Sequence, residues 1–125
     1  VQPGTVKLSN PFSLLEAIKF GALFAAILLL VKLTERYAAA EGLYLLAGVA
    51  GLTDVDAITL SMAEYARQSV QSITVAAAAV TIAALSNTVV KCGLVVMLGG
   101  RALANKLVMA TVLILIPGIT VLFFI

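Results

Sequence analysis

From Phe20 to Val31 the chain runs twelve residues without a polar side chain, and a lysine stands at each end, Lys19 and Lys32. Water offers such a run no stable exposed conformation. A bilayer does, because about 20 residues of helix cross its hydrocarbon core, and Leu14 to Leu33 supplies that length once both lysines snorkel to the interface. Composition agrees: 62% of the 125 residues are hydrophobic and 11% are charged, against about 45–50% and about 25% for a soluble domain. These features predict an all-α integral membrane protein, one transmembrane helical domain over residues 1–125. It would be a multi-pass protein of the cell (inner) membrane with the lipid bilayer as its first partner. The chain begins with Val1 and not Met, which reads as a piece of a longer protein.

Four transmembrane helices are expected. Asn10-Pro11 signals the start of the first, since Asn caps and Pro fits the first turn; Glu16 and Lys19, three apart, can pair on one face. The second is expected over Gly42 to Arg67. Neither Leu43–Leu52 nor Asp54–Arg67 is long enough to cross alone, but together they are, so this helix is expected to be broken near Gly51–Asp54. Gly48 and Gly51 would give the backbone its freedom at the break, with Tyr44 and Tyr65 near opposite interfaces. The third, Ser69 to Leu98, opens on small residues that let helices approach closely, placing it inside a bundle. The fourth, Leu103 to Ile125, meets Pro117-Gly118, which kinks or ends it; with no ionisable group past Lys106 it would face lipid. On this four-span layout Lys32, Arg36, Arg101 and Lys106 share one side and Lys7, Lys19 and Arg67 the other, favouring the first set in the cytoplasm by one residue.

Function classes narrow quickly. The chain has no His, which removes histidine metal sites and histidine acid–base chemistry. No nucleophile elbow, P-loop, zinc-protease or dinucleotide motif is present, so an enzyme is not expected. A net charge of +2 with no basic run gives no electrostatic footprint for nucleic acid. Cys92 stands alone and reads as packing.

The chemistry concentrates at Asp54 and Asp56. An ionisable group inside a membrane helix costs about 2.5–3.5 kcal/mol by insertion scales and marks a pathway or a binding site. Thr53 and Asp56 also fit a capping box, with Thr53 as N-cap and Asp56 in the third helical position, and in a soluble protein that reading would suffice. A helix start needs one cap, and a second carboxylate adds desolvation cost without structural return. Asp54 and Asp56, with Thr53, Thr59 and backbone carbonyls freed near Gly48 to Gly51, make a hard all-oxygen set suited to Na⁺, Mg²⁺ or Ca²⁺, with the two aspartates as metal ligands or proton carriers. Asn87 and Lys91 lie one turn apart on the third helix. Lys91 either snorkels or is the internal counter-charge of the aspartates, displaced when a cation arrives, with Asn87 as an accessory ligand. Glu64 and Arg67 read as a solvated pair, and Ser61, Thr81, Ser86 and Thr88 as hydroxyls bonded back to their own helix.

Taken together, Asn10-Pro11-Phe12, Lys19-Phe20-Gly21, Gly42-Leu43-Tyr44, the block Gly51 to Ser61 (GLTDVDAITLS) and Asn87 to Lys91 resemble an uncharacterised membrane domain of bacteria and archaea. It is the C-terminal domain that follows an MgtC/SapB-like region in longer proteins. The resemblance implies a membrane location and an association with magnesium transport, and it implies the missing MgtC/SapB-like half as a partner. Asp54, Asp56, Asn87 and Lys91 are the polar positions of the resembling motifs that fall within the spans. The sequence thus predicts a membrane transporter domain that moves, or is coupled to, a cation such as magnesium. No resident cofactor beyond a bound Mg²⁺ or Na⁺ is expected. A homodimer is the expected assembly, its two-fold axis bringing the aspartate sites together. The alternative is a structural or regulatory assembly module in which the Asp–Lys set is an internal salt bridge.

Overall fold

The computed structural model describes residues 13–125, which form five helices: α1 (Leu14–Tyr37), α2 (Ala40–Gly51), α3 (Asp56–Ala66), α4 (Val70–Leu98) and α5 (Arg101–Phe124). The Asn10-Pro11 signal lies outside the described residues. Ser13 caps α1 by accepting the Glu16 N–H at 3.4 Å. Three helices, α1, α4 and α5, are long and apolar enough to cross a membrane. The chain is a helical membrane protein.

The order of the short helices departs from expectation. Tyr65 and Gln68, at the end of α3, line the same cavity of about 480 Å³ as Ala38, Ala40 and Leu43, at the start of α2. A helix broken but passing straight on would hold those two ends about 40 Å apart at 1.5 Å per residue. Instead α3 doubles back, and α2 and α3 are the arms of a helical hairpin that opens at one end of the molecule. The expected second span, Gly42 to Arg67 broken near Gly51–Asp54, is therefore corrected: the break is present, but the chain reverses there. Tyr44 and Tyr65 consequently share the open half of the hairpin and do not mark opposite ends.

The reversal has a local cause. Leu52 to Val55 contains no helical residue. The N–H groups of Thr53 and Asp54 both donate to Ala50 O at 3.1 Å, and Leu52 N–H donates to Val49 O at 3.2 Å. These short-range bonds close the last turn of α2 and let the chain swing round.

Packing follows from the hairpin. Its arms rest chiefly on α1 and α4, while α5 contacts α4 alone. The short Arg67–Ser69 turn makes α3 antiparallel to α4, so α2 runs parallel to it. The core between them joins Ile27 and Val31 of α1, Leu43 and Ala47 of α2, Ile58 and Met62 of α3, and Ala76, Ala79 and Ala83 of α4. The small α4 residues allow the close approach foreseen for the third helix. Gly51 touches α4 at Ala83, thirteen residues after Val70 and fifteen before Leu98. The tip of the hairpin therefore stands beside the middle of the longest helix.

The fourth expected span is α5, and Pro117 lies inside it without ending it. The helix is mostly exposed, as a lipid-facing element should be. Basic residues divide differently with the hairpin in place. Lys32, Arg36 and Arg67 lie towards its open end, and Lys19, Lys91, Arg101 and Lys106 towards the other, a different division from the one expected on four spans; Lys7 lies outside the described residues.

Candidate functional site

The tip is fastened to α4 at two points. At Gly51 the backbone lies so close to Ala83 that an added Cβ would collide with the Ala83 carbonyl oxygen and sit 2.8 Å from its Cα. At Gly48 the carbonyl accepts the Ser86 hydroxyl at 2.8 Å. The Leu52 N–H, four residues on, has turned to Val49 O, so Ser86 serves a carbonyl at the end of α2 where the helical ladder is running out. Ser86 was read from sequence as bonding within its own helix, as Ser61, Thr81 and Thr88 do. Its bridge to Gly48 is the contact that sequence reasoning missed. Two glycines three residues apart, opposite a hydroxyl, were the available signal.

Asp54 and Asp56 occupy the tip and the first turn beyond it. Asp54 is half-buried, and its Oδ1 accepts the Asp56 N–H at 3.3 Å. Its carboxylate thus covers the start of α3, where the helix dipole favours negative charge. Asp56 is the first residue of α3 and is exposed. The capping box is not formed: Val55 stands at the N-cap without a side-chain bond, and the Thr53 hydroxyl donates backwards to Ala50 O at 2.9 Å. Ala50 O then takes three donors and Gly48 O takes Ser86, so these two expected free carbonyls are occupied. Thr59 is exposed at the α3–α4 groove. No group of three or more metal-binding side chains occurs among the described residues; two carboxylates and hydroxyls are what one copy offers at the tip.

Asn87 and Lys91 follow Ala83 along α4 by four and eight residues, or about 6 and 12 Å. Because α2 runs parallel to α4, the chain leaving Gly51 advances in that same direction. Asn87 therefore stands level with the tip and Lys91 beyond it. Asn87 is buried, 9% exposed, and its Oδ1 has no hydrogen-bond partner among the described residues. Lys91 is exposed, in the α4–α5 groove beside Thr88 and Thr111. Among the described residues the ion pairs are Glu16–Lys19 at 3.3 Å and Glu64–Arg67 at 3.5 Å. Both were expected. A pair of Lys91 with Asp54 or Asp56, one of the two readings of that lysine, does not form among the described residues.

Helix α1 contacts α2 and α3 but neither α4 nor α5. Its first half, including Leu14, Leu15 and Ile18, is exposed. The hairpin spans the first half of α4, and Lys91, in the second half, lies on the side that packs against α5.

A family model described as a domain of unknown function, DUF4010, matches residues 1–99. This chain belongs to the DUF4010 family. The matched DUF4010 region takes in the hairpin and all of α4, hence every candidate site residue, and ends before α5. An uncharacterized protein of Aquifex aeolicus (strain VF5) is 32% identical over 100 residues, which are 80% of this chain and 44% of that protein. The chain thus spans less than half the length of this relative. No solved structure matches it.

Proposed function

We propose that this DUF4010 chain is a membrane transporter domain in which α2–α3 enters the bilayer as a re-entrant hairpin and carries a cation site at its tip. The observation that carries the reading is the position of the tip carboxylates beside the midpoint of α4. A helix of 29 residues is about 43 Å long, more than the roughly 30 Å hydrocarbon core. Centred there, α4 holds the tip near mid-depth. The hairpin arms of 12 and 11 residues are about 17 Å long, the distance from one interface to the midplane. Non-helical backbone is tolerated at that depth only where it is buried in protein or lines a polar cavity. Broken helices at mid-membrane are where transporters build ion sites.

In this reading Asp54 and Asp56 attract and ligate the cation, Thr53 and Thr59 add oxygens, and the unpartnered Asn87 carbonyl is an accessory ligand at the same level. Lys91 is the counter-charge that a cation displaces. Hard oxygen donors suit Mg²⁺ or Na⁺, and the resemblance to the domain that follows MgtC/SapB-like regions nominates Mg²⁺ as the first ion to test. The cell (inner) membrane is the corresponding location. The test is cation flux into proteoliposomes by wild type and Asp56→Asn. The proposal expects flux that the variant loses; equal flux in both removes the carboxylate from the mechanism.

The second reading is a structural or regulatory assembly module, in which the same charges fix helix register. It is favoured by one fact, the anchoring of Asp54 on its own backbone at Asp56 N–H. It expects no flux, and it expects assembly to survive the charge swap Asp56→Lys with Lys91→Asp.

A further inference from the structure

We propose that the polar cavity at the open end of the hairpin is a headgroup site for a membrane phospholipid whose phosphate is followed by a primary ammonium, as in phosphatidylethanolamine. It lies a hairpin length from the tip, about 17 Å, and uses none of the residues assigned to the cation.

The cavity, of about 480 Å³, is lined by groups of both signs: Lys32, Glu35 and Arg36 of α1, with the Tyr65 phenol and the Gln68 amide from the end of the hairpin. The corner beside it is tight. A Cβ on Gly42 would lie 2.8 Å from side-chain carbons of both Thr34 and Ala38, so the first turn of α2 is pressed against the end of α1.

Lys32 and Arg36, four apart, share one face with their Cβ atoms about 5–6 Å apart, a spacing that one phosphate bridges. Neither cation is in an ion pair among the described residues, and nor is Glu35. Arg36 lays its guanidinium over the Tyr37 ring at 5.7 Å. Stacking of that kind occupies the flat face and leaves the in-plane N–H fork for a phosphate. Helix α2 starts at the same cavity, and Ala39 at its N-cap makes no side-chain bond, so the positive helix end adds to the pull on an anion.

Glu35 decides what accompanies the phosphate. It is half-buried, and a purely anionic ligand would set like charge against it. A primary ammonium gives it a partner, and the Tyr65 and Gln68 oxygens accept the remaining N–H groups. A choline headgroup has no N–H to donate.

Depth selects a lipid over a soluble molecule. Lys32 and Arg36 stand in the last two turns of α1, a helix long enough to cross the membrane, and basic residues near such ends reach the headgroups. Leu29 and Leu33 fall on the same stripe as the two cations, at i and i+4 with them at i+3 and i+7. These leucines are 59% and 44% exposed. They offer acyl chains an apolar surface next to the charges.

The experiment uses the full chain, delipidated in neutral detergent, with lipid retention read by native mass spectrometry. Phosphatidylethanolamine should be held one to one, and in preference to phosphatidylcholine of the same acyl chains. Lys32→Gln with Arg36→Gln should weaken retention of both lipids roughly 30-fold. Arg101→Gln with Lys106→Gln, at the other end of the molecule, should leave it unchanged. Glu35→Gln should erase the preference between the two headgroups. Wild type that holds the two lipids equally overturns the proposal without recourse to any variant. Equal weakening by the two basic pairs also overturns it, since cations that only snorkel would behave that way. Displacement of the lipid by soluble phosphoethanolamine at equal concentration would assign the cavity to a water-borne ligand and overturn the lipid site.

Discussion

Gly51 and Ala83 meet backbone to backbone at the hairpin tip, with no room between them for a single methyl group. Because the obstructing atoms are main chain, the clash cannot be relieved by a rotamer change. Gly51→Ala should destabilise the protein by about 1–3 kcal/mol, the usual penalty of overpacking, and lower its unfolding temperature in detergent. Gly118→Ala is the control. There the added carbon would meet the end of the Leu85 side chain at 2.7 Å, which can move, so little change is expected.

Ser86 should matter more than the other membrane hydroxyls. Ser86→Ala removes the donor to Gly48 O across two helices, and interhelical hydrogen bonds in membranes average about 0.6 kcal/mol. Thr88→Ala, which loses only a bond to Ala84 O in its own helix, should leave stability unchanged. Equal effects from the two in the same unfolding assay would argue against the bridge.

The two aspartates should separate. Asp54→Ala removes the acceptor of the Asp56 N–H and should cost about 0.5–2 kcal/mol, as the loss of a helix cap does. Asp56 makes no side-chain hydrogen bond or ion pair among the described residues. Asp56→Asn should therefore unfold like wild type while losing cation flux. If Asp56→Asn unfolds early, the residue has a structural duty that the proposed site does not include.

Much of this fold was legible in the sequence. The apolar runs announced the three long helices, the Glu16–Lys19 and Glu64–Arg67 spacings announced their ion pairs, and the glycines before Asp54 announced the break. The direction of the chain after the break was not legible. Two helices of 12 and 11 residues add up to one span or fold into one hairpin with the same hydrophobic pattern. What decides between them is tertiary, namely the fit of both arms onto the small residues Ala76, Ala79 and Ala83. Which of the two readings of Lys91 holds was not legible for the same reason. Its side of the tip depends on whether α2 runs parallel or antiparallel to α4. Asp54 and Asp56 were singled out by their cost in hydrocarbon and Asn87 by its place one turn from Lys91, whereas Ser86 was passed over because a hydroxyl on a helix usually bonds backwards.

The hairpin can be measured directly. Spin labels at Ala39→Cys and Gln68→Cys, in the Cys92→Ala background and diluted with unlabelled chain in lipid nanodiscs, report the separation of the two ends of α2–α3 by pulsed electron resonance. The account predicts a distance on the order of 20 Å or less, since both residues line one cavity. A distance near 40 Å, the length of a helix path from Ala40 to Ala66, would mean that the chain crosses the membrane there, and would contradict it.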